Sequence, residues 1–375
     1  MKRLTNNILA ATVGALILAG QAQAQDPVKI AVVGPITGPV AQYGDMQMIG
    51  ARMAIERIND QGGAGGHELI YMPFDDVCEP KQAVAVANQI VNEGIQFVVG
   101  HLCSGSTQPA AAIYDDEGIL MITPASTSPA ITEQGYTMVF RTIGLDSQQG
   151  PKAGNFIVEE IEPERMAIIH DKQQYGQGIA EEVRDTVQEG GVDVVLFEGV
   201  SKGQTDFSAL ITKLKRENVD FVYYGGYHPE LGLILRQARE QGFDATFMGP
   251  EGVGNKDISA IAGPASEGLL VTLPMDFSED PANADLVAAF EERDEDPSGP
   301  FVMPSYAAVK VIADSIERTG GTDPIEIAEM MRQSSYETPI GTVAFNEHGD
   351  LQEFEFVIYE WHADASKTPV KETAP

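Results

Sequence analysis

The feature that most constrains this chain is a repeated alternation of short apolar runs with amphipathic helical stretches. Residues 28–33 form a β-branched run closed by a Gly/Pro-rich turn at 34–39. A helix is expected from Asp45, a good N-cap, with Met48, Ala51, Ile55 and Ile58 at helical spacing and Gly62 as its stop. Strands are expected at 67–74, 97–100 and 120–122, with helices from Pro80 to Gly94 and over 106–117. A second block repeats the order, with strands at 166–169, 192–197 and 219–224 and helices at 178–189, 207–217 and 231–241. Strands alternating with helices of this length build parallel sheets covered on both faces. The expected fold class is therefore α/β, with two doubly wound parallel-sheet lobes.

The last hundred residues break the alternation. Helices are expected at 283–292, 306–318 and 324–333, then strands at 342–345 and 354–361. Helices first and strands last suggest that the chain revisits both lobes. The first lobe is expected to comprise 25–144 plus about 275–352, and the second 145–274 plus about 353–375. Several crossing segments then form a multi-strand hinge beside a cleft. Ligands of open α/β sheets bind at the carboxyl ends of the strands, so the loops at 102–106, 124–128 and 250–255 are candidates for the cleft wall. No internal sequence repeat accompanies the two blocks.

The first residues are expected to be removed. Lys2 and Arg3 precede an apolar run at 8–20, and Ala22 and Ala24 offer a small-residue cleavage site. The run falls short of the roughly 20 residues that a membrane span requires, and no cysteine follows it to carry a lipid. A signal peptide at 1–24, cleaved near Ala24, implies export to the periplasm. The formal net charge of −32 becomes −34 once Lys2 and Arg3 are gone. Such a surface repels nucleic acid and anionic lipid, so no nucleic-acid partner is expected. Cys78 and Cys103 reach an oxidising compartment, where they either pair or remain two separate buried thiols.

A search for catalysis returns little. There is no nucleophile elbow, no phosphate-binding loop and no His-Glu-x-x-His. The glycines at 62–66 follow a helix and read as a cap and turn. His101 lies near Ser104, but no third group is evident to orient such a pair. His170 reads as a hydrogen-bonded structural or cleft residue. Two cysteines make no zinc site, and no cofactor or metal is expected. The cleft loops instead hold hydroxyls, aromatics and one acid. Ser104, Ser106, Thr107, Ser126 and Thr127 can bond a carboxylate, helped by backbone N–H groups at a helix start. Glu251 can balance an ammonium, and Tyr43, Tyr175, Tyr227 and Phe301 can wall an apolar pocket. That inventory fits a zwitterion with an apolar side chain.

Several segments together are recognisable: Asp75-Asp76-Val77-Cys78, 81–88, Gly100-His101-Leu102-Cys103-Ser104, 171–176, 221–229 and 249–255. The sequence resembles the periplasmic branched-chain amino acid (Leu/Ile/Val) binding proteins of ABC transporters, in the type I periplasmic binding protein family, from Val28 almost to Trp361. The resemblance implies a Cys78–Cys103 disulfide. It implies that Ser104 and Thr127 hold the ligand's charged groups, and that the Ala125 carbonyl and Glu251 receive its ammonium. Tyr227 would close over the head group from the other lobe, and Tyr43, Leu102, Cys103, Tyr175 and Phe301 would line the side-chain pocket. Tyr43 with Phe301, where leucine-restricted relatives tend to carry Trp and Tyr, implies a pocket for all three amino acids. Two departures stand out: Gly105 interrupts a serine-rich loop, and Met303 replaces an aromatic common in relatives. The resemblance further implies a monomer that serves an inner-membrane ABC permease complex. A ligand sensor and a secreted hydrolase are the competing readings. The first usually carries an anchor or an output domain, and the second would turn its substrate over.

Overall fold

The structure is a computed structural model that describes residues 25–371, and the expected signal peptide lies outside them. The first sheet consists of β1 (Val28–Gly34), β2 (Leu69–Asp75), β3 (Phe97–Gly100), β4 (Leu120–Thr123) and β5 (Val139–Arg141), all parallel, in the order β2-β1-β3-β4-β5. The intervening helices are α1 (Ala41–Asp60), α2 (Pro80–Asn92) and α3 (Ser104–Asp116). Every residue of β3 and β4 is buried, as expected of strands covered on both faces.

The chain then crosses to a second sheet through α4 (Asp146–Phe156). It continues with β6 (Met166–His170), α5 (Gln174–Glu189), β7 (Val194–Gly199), α6 (Ser208–Arg216), β8 (Phe221–Gly225), α7 (His228–Glu240), β9 (Thr246–Gly249), α8 (Lys256–Ala262) and β10 (Leu269–Pro274). It returns for α9 (Ala284–Glu291), α10 (Val302–Thr319), α11 (Pro324–Gln333) and the hairpin β11 (Ser335–Thr338) with β12 (Gly341–Ala344). These elements share one core with α1 and the inner face of the first sheet. A last crossing adds β13 (Phe356–Trp361) and β14 (Lys367–Pro369), both antiparallel, to the second sheet, whose order is β14-β13-β10-β9-β8-β6-β7.

Read from their own first strands, both sheets carry the same order, 2-1-3-4-5. Topology repeats where sequence does not. In this order the loops after the first and third strands part in opposite directions and open a crevice. In the first sheet that crevice lies between β1 and β3, and in the second between β6 and β8.

Five helices, α1, α3, α5, α7 and α10, begin earlier than the apolar periodicity predicts, and two of these starts bear on the cleft. α1 starts at Ala41, and Asp45 is an exposed residue inside it that caps nothing. Its first turn rests on the loop after β1: a Cβ on Gly44 would lie 1.9 Å from the Pro35 carbonyl oxygen, so only glycine allows the approach. This places Tyr43 and Gln47 over the sheet end, where Gln47 Nε2 donates to the carbonyls of Val33 (2.9 Å) and Val99 (3.1 Å). α3 starts at Ser104, directly after Cys103, which is bonded to Cys78 with the two Cα atoms 5.6 Å apart.

That cross-link joins the loops after β2 and β3 across 25 residues of sequence. In the chain-entropy model a loop of this size is worth about 3.5 kcal/mol. The Cys78→Ala/Cys103→Ala double variant is expected to lose about that much in denaturant unfolding, and intact-mass analysis should show two hydrogens gained on reduction of the native protein. An unchanged unfolding free energy would show that the bond constrains nothing.

Candidate functional site: an interlobe cleft

The carboxyl ends of both sheets face each other. From the first come Tyr43 in the first turn of α1, Leu102 and Cys103 after β3, Ser104 at the start of α3, and Ala125 and Thr127 after β4. From the second come Tyr175 in the first turn of α5, Tyr227 just before α7 and Glu251 after β9. Phe301 arrives from the returning segment, one residue before α10. All ten are buried. The seven apolar ones, Tyr43, Leu102, Cys103, Ala125, Tyr175, Tyr227 and Phe301, belong to one continuous cluster that also includes Ile168, Phe221 and Met248 from the second sheet.

Ring contacts line this cluster. Tyr43 meets Phe301 edge-on at 5.4 Å and Tyr227 at 6.5 Å, and Tyr227 meets Tyr175 at 5.2 Å. Polar contacts then join the lobes. The Tyr43 hydroxyl donates to the Glu251 carbonyl (3.1 Å), and Thr127 Oγ1 donates to Glu251 Oε1 (3.5 Å). The Gly252 amide donates to the Tyr175 hydroxyl (3.0 Å). At the rim, Lys202 Nζ donates to Glu79 Oε1 (2.6 Å) and Gln174 Nε2 donates to Gln108. A cavity of about 330 Å³ reaches in from this rim to Cys103, Gly105, Tyr175 and Tyr227.

The two ends of the cleft differ in charge preference. At one end is Glu251, fully enclosed. Burial pushes its carboxyl up from the ordinary 4.5 to about 7, and polar contacts from Gln149, Tyr175 and Thr127 offset only part of that. At the other end is the N-terminus of α3, where the Ser104 and Gly105 amides precede the first bonds, made by the Ser106 and Thr107 amides to the Cys103 carbonyl, and favour an anion. The Ser104 hydroxyl lies there and accepts from the Ser128 amide at 3.4 Å. His228 adds no positive charge: burial holds it down at about 4, its ring lies edge-on to Tyr43 at 5.5 Å, and its Nδ1 accepts from Asn255 at 2.8 Å. Among the described residues the only buried arginine or lysine is Arg141, and it bonds to Asp350 at 2.6 Å.

Other candidates take structural roles. Thr107 and Ser126 bond each other at 2.5 Å, and their remaining bonds go to the carbonyls of Cys103, His101 and Leu102, so neither hydroxyl is free for a ligand. His101 is fully enclosed between Asp76 (2.7 Å) and Tyr114 (3.1 Å), and no Ser104–His101 pair forms. His170 stacks on Phe197 and accepts from the Lys172 amide. Met303 lies in the core shared with α1 rather than at the cleft rim. Gly105 is in the first turn of α3, where a Cβ would meet only Pro80 Cγ at 3.9 Å.

The profile of the periplasmic binding protein family matches residues 27–366. The chain belongs to the periplasmic binding protein family. It is 57% identical over 374 residues to the leucine-, isoleucine-, valine-, threonine-, and alanine-binding protein of Pseudomonas aeruginosa, covering 99% of this chain and 100% of that one. It is 52% identical to the Leu/Ile/Val-binding protein of Escherichia coli, over 95% and 96% of the two chains. Among solved structures, the leucine binding protein LivK of Thermotoga maritima superimposes with a TM-score of 0.85 at 28% identity, covering 92% and 98%. A type 1 periplasmic binding protein of Bordetella pertussis shares the fold, with a TM-score of 0.84 at 20% identity over 92% and 100% of the chains.

Within this periplasmic binding protein, three cleft residues escape a reading of the sequence, Asp146, Gln149 and His228, and Asn255 is reached only as the last residue of the loop at 250–255. Asp146 opens α4, and its amide donates to the Thr127 carbonyl at 2.9 Å. The raised Glu251 has a consequence for stability. An unfolded chain ionises Glu251 near the ordinary value, whereas the folded chain holds its proton to about pH 7. Between those values the native state binds more protons, so stability falls as pH rises. A displacement of this size is worth roughly 3 kcal/mol. Wild type is therefore expected to lose roughly that much unfolding free energy relative to Glu251→Gln between about pH 4.5 and 7, in ligand-free denaturant titrations. A pH-independent difference would place the Glu251 carboxyl in a solvated site.

Proposed function

We propose that this protein captures branched-chain L-amino acids (leucine, isoleucine and valine) in the interlobe cleft and presents them to an inner-membrane ABC permease complex. In this reading it works as a monomer in the periplasm after cleavage near Ala24. The rigid bodies are 25–144 with about 275–352, and 145–274 with about 353–375. The observation that carries the proposal is the polarity of the cleft: an enclosed acid, Glu251, at one end, the α3 N-terminus with Ser104 at the other, and an aromatic and aliphatic wall beside them. A zwitterion with an apolar side chain matches all three. Glu251, Thr127 and the Ala125 carbonyl take the ammonium, Ser104 and the α3 amides take the carboxylate, and Tyr227 covers the head group. Tyr43, Leu102, Cys103, Tyr175 and Phe301 take the side chain. The names of the Pseudomonas aeruginosa and Escherichia coli relatives support the same ligand class.

Removing one partner of a buried charge pair costs about 2–5 kcal/mol, and about 1.4 kcal/mol is a factor of ten. Glu251→Ala is expected to weaken leucine binding at least thirtyfold in titration calorimetry, with circular dichroism unchanged. Glu251→Gln should fall between wild type and Ala. A folded Glu251→Ala protein that binds leucine within threefold of wild type overturns the site assignment.

The wall discriminates by methylene contacts worth about 1–3 kcal/mol. Valine should therefore bind within a thousandfold of leucine. Closure around so small a solute is a hinge motion, and small-angle scattering should show a smaller radius of gyration with leucine than without. Identical profiles at saturation would indicate a rigid cleft.

A further inference from the structure

Behind the Glu251 carboxyl is a second enclosed acid. Asp146 is fully buried at the start of α4, tied to the Glu251 side of the cleft through its amide bond to Thr127. The surroundings of this acid pair are poor in donors. Thr127 has one hydroxyl proton to share between the two acids: it lies 3.5 Å from Glu251 Oε1 and also faces the Asp146 carboxyl. Both amide hydrogens of Gln149 go to Thr272, to its carbonyl (3.1 Å) and its hydroxyl (2.9 Å). The result is four enclosed acceptor atoms with no donor: both carboxyl oxygens of Asp146, Oε1 of Gln149 and Oε2 of Glu251. An uncompensated acceptor of this kind is costly to bury, and two neighbouring carboxylates in one enclosed site do not both ionise. The Tyr223 hydroxyl, itself unpartnered, and that of Tyr175 face the pair and can supply at most one proton each; the donors still missing are protons on the acids themselves or the N–H groups of an arriving cation.

We propose that Glu251 and Asp146 form a paired-acid ammonium subsite that holds two protons in the ligand-free protein and releases one to solvent as the amine seats, so that capture is coupled to proton release. The inference rests on the reading that the cleft receives an α-ammonium. The ligand arrives as a neutral zwitterion. Loss of one proton leaves a single negative charge on the pair opposite the ammonium, and the retained proton keeps Asp146 a donor within the pair.

The other charged groups support this partition. Facing Asp146 are Arg141 on β5, which is committed to Asp350, and Glu182 on α5, which disfavours a second anion. Facing Glu251 are the hydroxyls of Tyr175, Tyr223, Tyr227 and Tyr43, all held neutral by burial. Burial followed by the neighbouring Glu251 raises the Asp146 carboxyl well above its ordinary range, and the Thr127 hydroxyl and the Arg141 charge offset only part of that.

The test is a proton inventory. Leucine is titrated calorimetrically into full-length mature protein in buffers of different ionisation enthalpy. Release should approach one proton per leucine at about pH 6 and fall toward zero as the pH rises well above 7. Glu251→Gln should abolish the release while retaining weak binding. Asp146→Ala should move the midpoint of release to higher pH, because the anion that forms on Glu251 loses the O–H donor that the retained proton provides. Infrared difference spectra identify the groups: a protonated-carboxyl band that leucine bleaches should be missing in Glu251→Gln, and a second band that shifts without bleaching should be missing in Asp146→Asn. Tight leucine binding with fewer than about 0.2 protons released at about pH 6 overturns the coupling and leaves the ligand reading standing. So does release that persists in Glu251→Gln, a midpoint unmoved by Asp146→Ala, or a spectrum unmoved by Asp146→Asn. No heat and no thermal stabilisation with leucine, isoleucine or valine overturns the ligand reading and the coupling with it.

Discussion

The cleft depends on one enclosed guanidinium. Arg141, at the end of β5, donates from Nε to Asp350 (2.6 Å), from Nη1 to the Ser126 carbonyl (2.6 Å), and from Nη2 to the Ser128 carbonyl (3.1 Å) and the Thr132 hydroxyl (2.7 Å). It therefore fixes the backbone on both sides of Thr127, the residue that reaches Glu251 across the cleft. Its carboxylate partner comes from the segment between β12 and β13, the last crossing between the sheets. One side chain thus anchors both a binding loop and a connecting strand. Arg suits this position because its planar fork of donors can meet several oxygens at fixed angles. Such an ion pair is weak evidence for stability, since enclosing two charges is costly. Its value here is geometric: Ala125, Thr127 and the Ser128 amide that meets Ser104 are all held by it.

Residues that occupy a loop after an apolar strand were legible in the sequence. Glu251 stands out because a single acid in a run of Gly and Pro after a short apolar stretch has few structural uses, and the structure encloses it where both lobes meet. Asp146 was illegible because its helix has no apolar stripe. The buried face of α4 is Gln149, Gly150, Ala153 and Gly154, and a Cβ on Gly150 or Gly154 would lie 2.3 Å from Glu182 or 2.6 Å from Thr186 on α5. Close helix contact, rather than hydrophobic periodicity, decides that element. The start of α10 was hidden for a different reason. Pro304 reads as a stop, yet it lies in the first turn, where its missing N–H has no helical acceptor to lose. Phe301 is thereby placed at the helix entrance, pointing into the cleft cluster.

The interlobe contacts fall into two classes of very different worth. Lys202–Glu79 at the cleft rim and Lys256–Asp296 (2.5 Å) elsewhere between the lobes are partly exposed pairs, and pairs of that kind contribute about 0–1 kcal/mol each. The enclosed class consists of the aromatic cluster and the bonds to Glu251. Closing the lobes over the cluster removes apolar surface from water, which is favourable, but it also strips water from Glu251 and from the orphan acceptors around it, which is not. The two terms oppose each other until protons on the paired acids, or a seated cation, supply the missing donors.

Under the proposed site assignment, the same arithmetic gives head group and side chain different stringency. The ends of the cleft recognise charge and direction, through one acid at the β9 terminus and one helix terminus on the opposite lobe, and a ligand that lacks either charge leaves a buried polar group unmet. The wall between them is made of Tyr43, Leu102, Cys103, Tyr175 and Phe301, whose contacts are dispersive and add in small increments per methylene. Loss of a charge partner is therefore penalised far more than a change in side-chain branching. A site with this division selects the α-amino acid framework strictly and the aliphatic group loosely, because the enclosed acid on one lobe and the helix terminus on the other must both be satisfied before the lobes can meet.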